Sequence, residues 1–154
     1  METRVYIFAG FLDSGKTSFI NDTLMNPDFY SEEDTLLISF EEGEVAYNDI
    51  YLKKSNTSLV TLDFENFTTY DLKHLELEYR PTQIMIEANG MMDLNIFVKE
   101  TIPENWKVVQ VLTTFDTTTF SMYLNNMRSL VYSQVVFSDL VIFNRYDPNI
   151  KNPC

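Results

Sequence analysis

Residues 10–17 read Gly-Phe-Leu-Asp-Ser-Gly-Lys-Thr, the spacing G-x-x-x-x-G-K-[ST]. This pattern builds a phosphate-binding loop. Gly10 and Gly15 let the backbone turn tightly and aim its N–H groups inward at an anion. Lys16 is spaced to reach the β- and γ-phosphates, and the Thr17 hydroxyl to bind Mg²⁺. The run Val5-Tyr6-Ile7-Phe8 before it has the character of a buried strand, and residues 18–25 carry apolar side chains at helical spacing. Strand, glycine loop and helix are the context that separates this motif from a chance glycine-serine loop. The positive end of the new helix adds to the anion site.

Three further segments carry chemistry. In Ile84-Met85-Ile86-Glu87-Ala88-Asn89-Gly90 an apolar strand ends in an acid. Such an acid can hold a Mg²⁺-bound water opposite the phosphate loop, or simply stand solvated at the sheet's edge. Gly90 is able to present its N–H to a γ-phosphate because no side chain blocks the approach. In Val141-Ile142-Phe143-Asn144-Arg145-Tyr146-Asp147 a late strand ends in N-x-x-D. Asp147 matches the paired N1–H and N2–H₂ donors of guanine, which adenine lacks. Asn144 is placed to help bind the base edge, and the stem of Arg145 to cover it. Turn chemistry before Pro148 is the plain alternative. In Ser39-Phe40-Glu41-Glu42-Gly43-Glu44 a strand runs into an acidic loop. Glu41 and Glu44 there can position Mg²⁺ or an attacking water, or form an acidic surface turn.

These residues need elements to hold them. Strands are expected at 5–8, 35–40, 58–62, 83–87, 107–113 and 140–144, mostly short apolar runs suited to a sheet buried on both faces. Helices are expected at 16–25, 70–79, 94–101 and about 115–137. Asn26-Pro27, Arg80-Pro81 and Ile102-Pro103 read as helix stops. Residues 30–34 read as an exposed acidic loop, and the polar stretch 47–57 fits no element clearly. The alternation predicts an α/β domain with a mostly parallel central sheet and helices on both faces, three layers in all.

Composition bounds the partners. At 154 residues and 45% hydrophobic content the chain makes one domain with a real core. The net charge of −12 argues against nucleic acid and against anionic membrane surfaces. A nucleotide remains compatible, because a phosphate loop supplies its own local positive potential. No apolar run is long enough for a membrane span, and residues 1–4 lack a signal-peptide pattern. The single cysteine, Cys154, fits a reducing cytoplasm. His74 stands alone and reads as a surface or packing residue.

As a set, these segments resemble the CobW-like P-loop GTPases, relatives of the metallochaperone GTPases HypB and UreG. The family runs G-F-L-G-x-G-K-T-T, N-E-x-G-E, E-T-x-G-x-x-D and N-K-x-D. The matching stretches here are 10–18, 40–44, 87–93 and 144–147. Gln134 with Asp139 resembles the family's Q-x-x-x-A-D, and Asp116 resembles an acid at the end of the strand before it.

The resemblance implies a P-loop NTPase domain that binds GTP with Mg²⁺ and hydrolyses it slowly. Phosphates fall to Gly10, Asp13, Ser14, Gly15, Lys16, Thr17, Ser18 and Gly90. Mg²⁺ falls to Thr17, Glu87 and Glu41, catalysis to Lys16 and Glu87, and guanine to Asn144, Arg145 and Asp147. The chain departs from the pattern in ways that bear on the site. Asp13 replaces a glycine in the phosphate loop, Phe40 replaces an asparagine, and Arg145 replaces the usual lysine. The family's C-x-C-C metal motif has no counterpart near residues 56–67, which speaks against transition-metal delivery. Seven residues after Asp147 leave no room for the family's further strand, helix and C-terminal domain. The expectation is thus a GTPase domain spanning 1–154 and truncated at its C-terminus. The other readings are a P-loop ATPase or small-molecule kinase, and a nucleotide-sensing or partner-docking domain with little turnover.

Overall fold

The computed structural model describes residues 2–11, 14–30, 32–41 and 46–144, with the backbone alone at Tyr30, Ser133, Phe137 and Asn144. Six strands form one sheet: β1 (Thr3–Ala9), β2 (Thr35–Ser39), β3 (Thr57–Thr61), β4 (Gln83–Glu87), β5 (Trp106–Asp116) and β6 (Leu140–Asn144). Their spatial order is β3-β2-β4-β1-β5-β6, and every pairing is parallel. All strands therefore end on the same edge, and the loops that follow them gather there.

The side-chain period of two splits each central strand between two cores. Val5, Ile7, Leu36, Ile38, Ile84 and Ile86 face one side. There they meet Leu72 and Leu75 of helix α4 (Thr69–Tyr79), with Leu94 and Phe97 from the segment after β4. Phe8, Leu37, Met85 and Leu112 face the other side. They pack on Ile20 and Leu24 of α1 (Lys16–Leu24) and Leu52 of α3 (Asp49–Lys54). The expected α/β layers are thus present, and the sheet is wholly parallel. Among the described residues no helix is long and apolar enough to cross a membrane.

Several local expectations need correction. The single helix expected over 115–137 is instead the end of β5 followed by two helices, α6 (Phe120–Asn126) and α7 (Arg128–Phe137). Phe115 and Asp116 stay extended because they pair with Phe143 and Asn144 of β6. The helices divide at Met127, whose φ of −135° and ψ of 45° are not helical. The stretch expected as one helix over 94–101 is a three-residue α turn, α5 (Leu94–Ile96), running into a π-helix (Phe97–Thr101). Pro27 is not only a stop. It opens a short helix, α2 (Pro27–Tyr30), the position where a missing N–H costs nothing. The polar stretch 47–57 holds α3, capped by the Asn48 side chain, which accepts from the N–H groups of Ile50 and Tyr51. Arg80 and Ile102 leave the helical conformation ahead of their prolines, with φ 47° and ψ 147° respectively.

Candidate nucleotide-phosphate site

The phosphate loop sits between β1 and α1. Gly10 has φ 134°, and a Cβ there would lie 2.3 Å from the Thr114 carbonyl oxygen. Gly15, with φ 100°, caps α1 in the left-handed region. Ser14 hydrogen-bonds through its hydroxyl to that of Thr114 at 2.7 Å, fastening the loop to β5. Phe11 stacks on Tyr123 of α6, ring centroids 4.1 Å apart. Leu12 and Asp13 lie outside the described residues.

Lys16 is only 3% exposed. Its ammonium curls back over the loop, donating to the carbonyls of Gly10 (2.6 Å) and Phe11 (3.0 Å). Its third partner is the Glu41 carboxylate at 3.0 Å. The same Glu41 oxygen accepts from the Gly90 N–H at 2.9 Å. Burial pushes the Glu41 carboxyl above its ordinary range, and the neighbouring Lys16 charge opposes that push.

Glu87, 2% exposed, ends β4. One oxygen accepts from the Thr17 hydroxyl at 2.7 Å and the other from the Ser39 hydroxyl at 2.6 Å. Ser39 ends β2 directly opposite Glu87 in register, so the parallel pairing itself aligns the two. The Tyr47 hydroxyl is buried beside Glu87 and Thr17 and, among the described residues, completes no well-formed hydrogen bond. Burial and the Glu87 charge push this phenol far up, so it stays a neutral donor. Asn21 on α1 holds the segment carrying Tyr47, accepting from Asn48 N–H at 3.1 Å and donating to the Ala46 carbonyl at 3.2 Å.

The Gly90 turn is equally tight. A Cβ at Gly90 would lie 2.8 Å from the Phe11 Cα. Gln134 of α7, buried, donates to the Gly90 carbonyl at 3.1 Å, while its own Oε1 finds no partner among the described residues. Asp139 accepts from the Val111 N–H at 2.7 Å and so ties the start of β6 to β5. Asp116 accepts from Thr118 and caps the turn after β5.

The structure therefore brings Gly10, Ser14, Gly15, Lys16, Thr17, Glu41, Glu87 and Gly90 to one end of the sheet. Ser18 follows Thr17 on the first turn of α1. Glu41 stands on Lys16 and Gly90, while Thr17 bonds to Glu87. The Asn144 backbone pairs with Asp116 at the same edge. Arg145 and Asp147 lie outside the described residues, as do residues 42–45 with Glu44. Sequence reasoning overlooks Ser39, Tyr47 and Thr114. Ser39 carries a usable signal, a lone hydroxyl closing an apolar strand. Tyr47 lies in a polar stretch without periodicity, and Thr114 at the end of a strand longer than its apolar run suggests.

The oxygen donors around Thr17 are all hard: its own hydroxyl, Glu87, Ser39 and the unpartnered Tyr47 hydroxyl. That set fits Mg²⁺ and not a thiolate-seeking metal. Among the described residues no group of three or more His, Cys, Asp or Glu is arranged to hold a metal ion by itself. Mg²⁺ usually takes one or two protein oxygens and shares the rest with water and phosphate.

A family model described as the CobW/HypB/UreG nucleotide-binding domain matches residues 4–151. No curated protein matches by sequence. Among solved structures, the Zn(II)-bound YjiA GTPase from E. coli aligns with TM-score 0.61 and 20% identity over 93% of this chain. The hydrogenase maturation factor HypB from Archaeoglobus fulgidus aligns with TM-score 0.59 and 12% identity over 92% of the chain. FlhF complexed with GMPPNP and Mg²⁺ aligns with TM-score 0.54 and 14% identity over 93%. The chain spans 49% of the YjiA structure, 65% of the HypB structure and 56% of the FlhF structure. These likenesses are likenesses of fold.

Proposed function

We propose that this chain, which belongs to the CobW/HypB/UreG family of nucleotide-binding domains, binds GTP with Mg²⁺ and hydrolyses its γ-phosphate. One observation carries the reading. A buried lysine and a buried carboxylate, Lys16 and Glu87, flank Thr17 at the end of a glycine-bounded loop, already hydrogen-bonded in place. Both side chains are thereby held at the loop before any ligand arrives, which limits how far they must move to meet phosphate and cation.

Lys16 would turn from the Gly10 and Phe11 carbonyls onto the β- and γ-phosphate oxygens. Loop N–H groups and the start of α1 would take the remaining phosphate charge. The Gly90 N–H would meet the γ-phosphate at the one place where a side chain cannot intrude. Thr17, with Glu87 through water, would hold Mg²⁺, which when bound neutralises charge between the β- and γ-phosphates. Ser39 fixes the Glu87 carboxylate, and the neutral Tyr47 hydroxyl would donate to a ligand oxygen brought beside it. Among the described residues none in reach is placed as a general base, so the reading rests the rate on positioning and charge stabilisation. Guanine recognition is assigned to Asn144, Arg145 and Asp147, supported by the arrival of β6 at the same sheet edge. The cytoplasm and a protein partner complete the reading, with neither nucleic acid nor membrane as a target.

The Glu41–Lys16 ion pair favours a second reading, a nucleotide-sensing domain with little turnover. Phosphate release from GTP with Mg²⁺ separates the two. The GTPase reading expects multiple turnovers and a loss of about a hundredfold or more in Lys16→Ala. Tight GDP binding without turnover leaves the sensing domain. An enzyme that turns over ATP and ignores GTP removes the guanine assignment in favour of an ATPase or small-molecule kinase.

A further inference from the structure

We propose that Glu41 sets the preference between nucleoside triphosphate and diphosphate by competing with the γ-phosphate for Lys16 and Gly90. The inference rests on the phosphate-site reading above and goes beyond it. A single oxygen of Glu41 accepts from the Lys16 ammonium at 3.0 Å and from the Gly90 N–H at 2.9 Å. These are the two donors, one from the phosphate loop and one from the β4 turn, that a γ-phosphate oxygen would take. A carboxylate and a phosphate present the same anionic oxygen to such donors. They cannot both use them.

The arrangement is built rather than incidental. The Glu41 side chain is 6% exposed. Its backbone is held by Ser39, whose single hydroxyl proton is shared between the Glu41 carbonyl at 2.8 Å and the Glu87 carboxylate at 2.6 Å. Asn89 donates to the Phe40 carbonyl at 3.2 Å, binding the β2 and β4 loops together. Phe40 itself packs against Phe67 and Phe97 in a three-ring cluster, which anchors the chain just before Glu41.

Displacement has somewhere to go. A cavity of about 740 Å³ adjoins Glu41 and Gly90, walled by Phe11, Phe64, Glu65, Tyr123 and Met127. A γ-phosphate that takes Lys16 and Gly90 would turn Glu41 toward it. GDP makes a smaller demand, because its β-phosphate reaches Lys16 but none of its phosphates reaches the Gly90 N–H that holds the same Glu41 oxygen. The competing carboxylate thus lowers the fraction of molecules ready for the γ-phosphate and weakens apparent triphosphate affinity by that fraction.

The test is calorimetric titration of the whole chain with GDP and with a non-hydrolysable GTP analogue, both with Mg²⁺. Wild type is compared with Glu41→Gln, Glu41→Ala and, as a charge control on the same cavity, Glu65→Gln. Thermal melts confirm that each variant is folded, and Glu41→Gln serves if Glu41→Ala is not. The expected result is analogue binding tightened by roughly tenfold in both Glu41 variants, within the usual span of coupling between sites. GDP affinity should stay within about twofold, and Glu65→Gln should move neither. Unchanged or weaker analogue binding in Glu41→Gln, or an equal gain for GDP, overturns the proposal while leaving the phosphate site standing. A wild-type chain that binds neither nucleotide overturns both.

Discussion

Gly10, Lys16, Thr17 and Glu87 are defined by neighbours that leave little freedom. A methyl group on Gly10 meets the Thr114 carbonyl and hydroxyl as well as the Ser14 hydroxyl, and φ 134° is closed to other residues. Gly10→Ala should therefore destabilise the fold by about 1–3 kcal/mol from backbone strain alone. It should also abolish nucleotide binding, read by urea unfolding and by titration. Thr17→Ala makes a different prediction. It removes one hydroxyl and leaves Glu87 still held by Ser39, so the melting temperature should move little. Mg²⁺-dependent nucleotide affinity should fall by about tenfold or more, measured with and without the metal. The loop residues are legible in the sequence because glycine and lysine spacing reports backbone geometry directly. Tyr47 and Thr114 are not, because nothing local distinguishes them. Tyr47 is brought to Glu87 by α1, through Asn21, and Thr114 to Ser14 by the pairing of β5 with β1.

Elements buried on both faces announce themselves, and those governed by their neighbours do not. β4 is legible to its ends, since Gln83-Ile84-Met85-Ile86-Glu87 is a short apolar run closed by polar residues, and the structure buries all of it. The stretch 115–137 reads as one helix because apolar residues recur through it at helical spacing. Its first two residues are strand only because β6, distant in sequence, pairs with them. α4 is legible at both ends. Thr68 and Asp71 form a capping box, and Arg80 closes the helix in the left-handed region before Pro81. The cores follow the same logic. Leu72 of α4 is fully buried among β-strand side chains, so Leu72→Ala should cost about 2–5 kcal/mol in urea unfolding. Nucleotide affinity should be kept in the fraction that stays folded, because α4 packs on the face of the sheet opposite α1.

Across the whole molecule, charge is the dominant variable. Glu33 is held below the usual carboxylate range by the Thr82 hydroxyl and by Arg4, whose guanidinium donates at 2.6 Å. Burial works against the charged form of Glu76, yet hydrogen bonds from Thr3 and Asn105 outweigh it and lower that carboxyl too. Groups depressed in this way stabilise the fold above their unfolded value, about 4.3. That contribution is lost as pH falls through the depressed folded values. Denaturant midpoints should therefore drop as pH is lowered from about 5 toward 3, and Glu76→Gln should flatten that slope. The net charge of −12 adds self-repulsion, so raising salt from roughly 10 to roughly 150 mM should raise the melting temperature. The same acidity leaves Lys16, the loop N–H groups and a divalent cation to draw a polyanionic nucleotide into the site. Titration with GTP, GDP and ATP in the presence of Mg²⁺, on wild type and Lys16→Ala, tests that claim most directly. The account predicts that both guanine nucleotides bind, that ATP binds roughly a hundredfold more weakly or worse, and that Lys16→Ala loses GTP. ATP binding as tight as GTP, or GTP binding unchanged in Lys16→Ala, would contradict it.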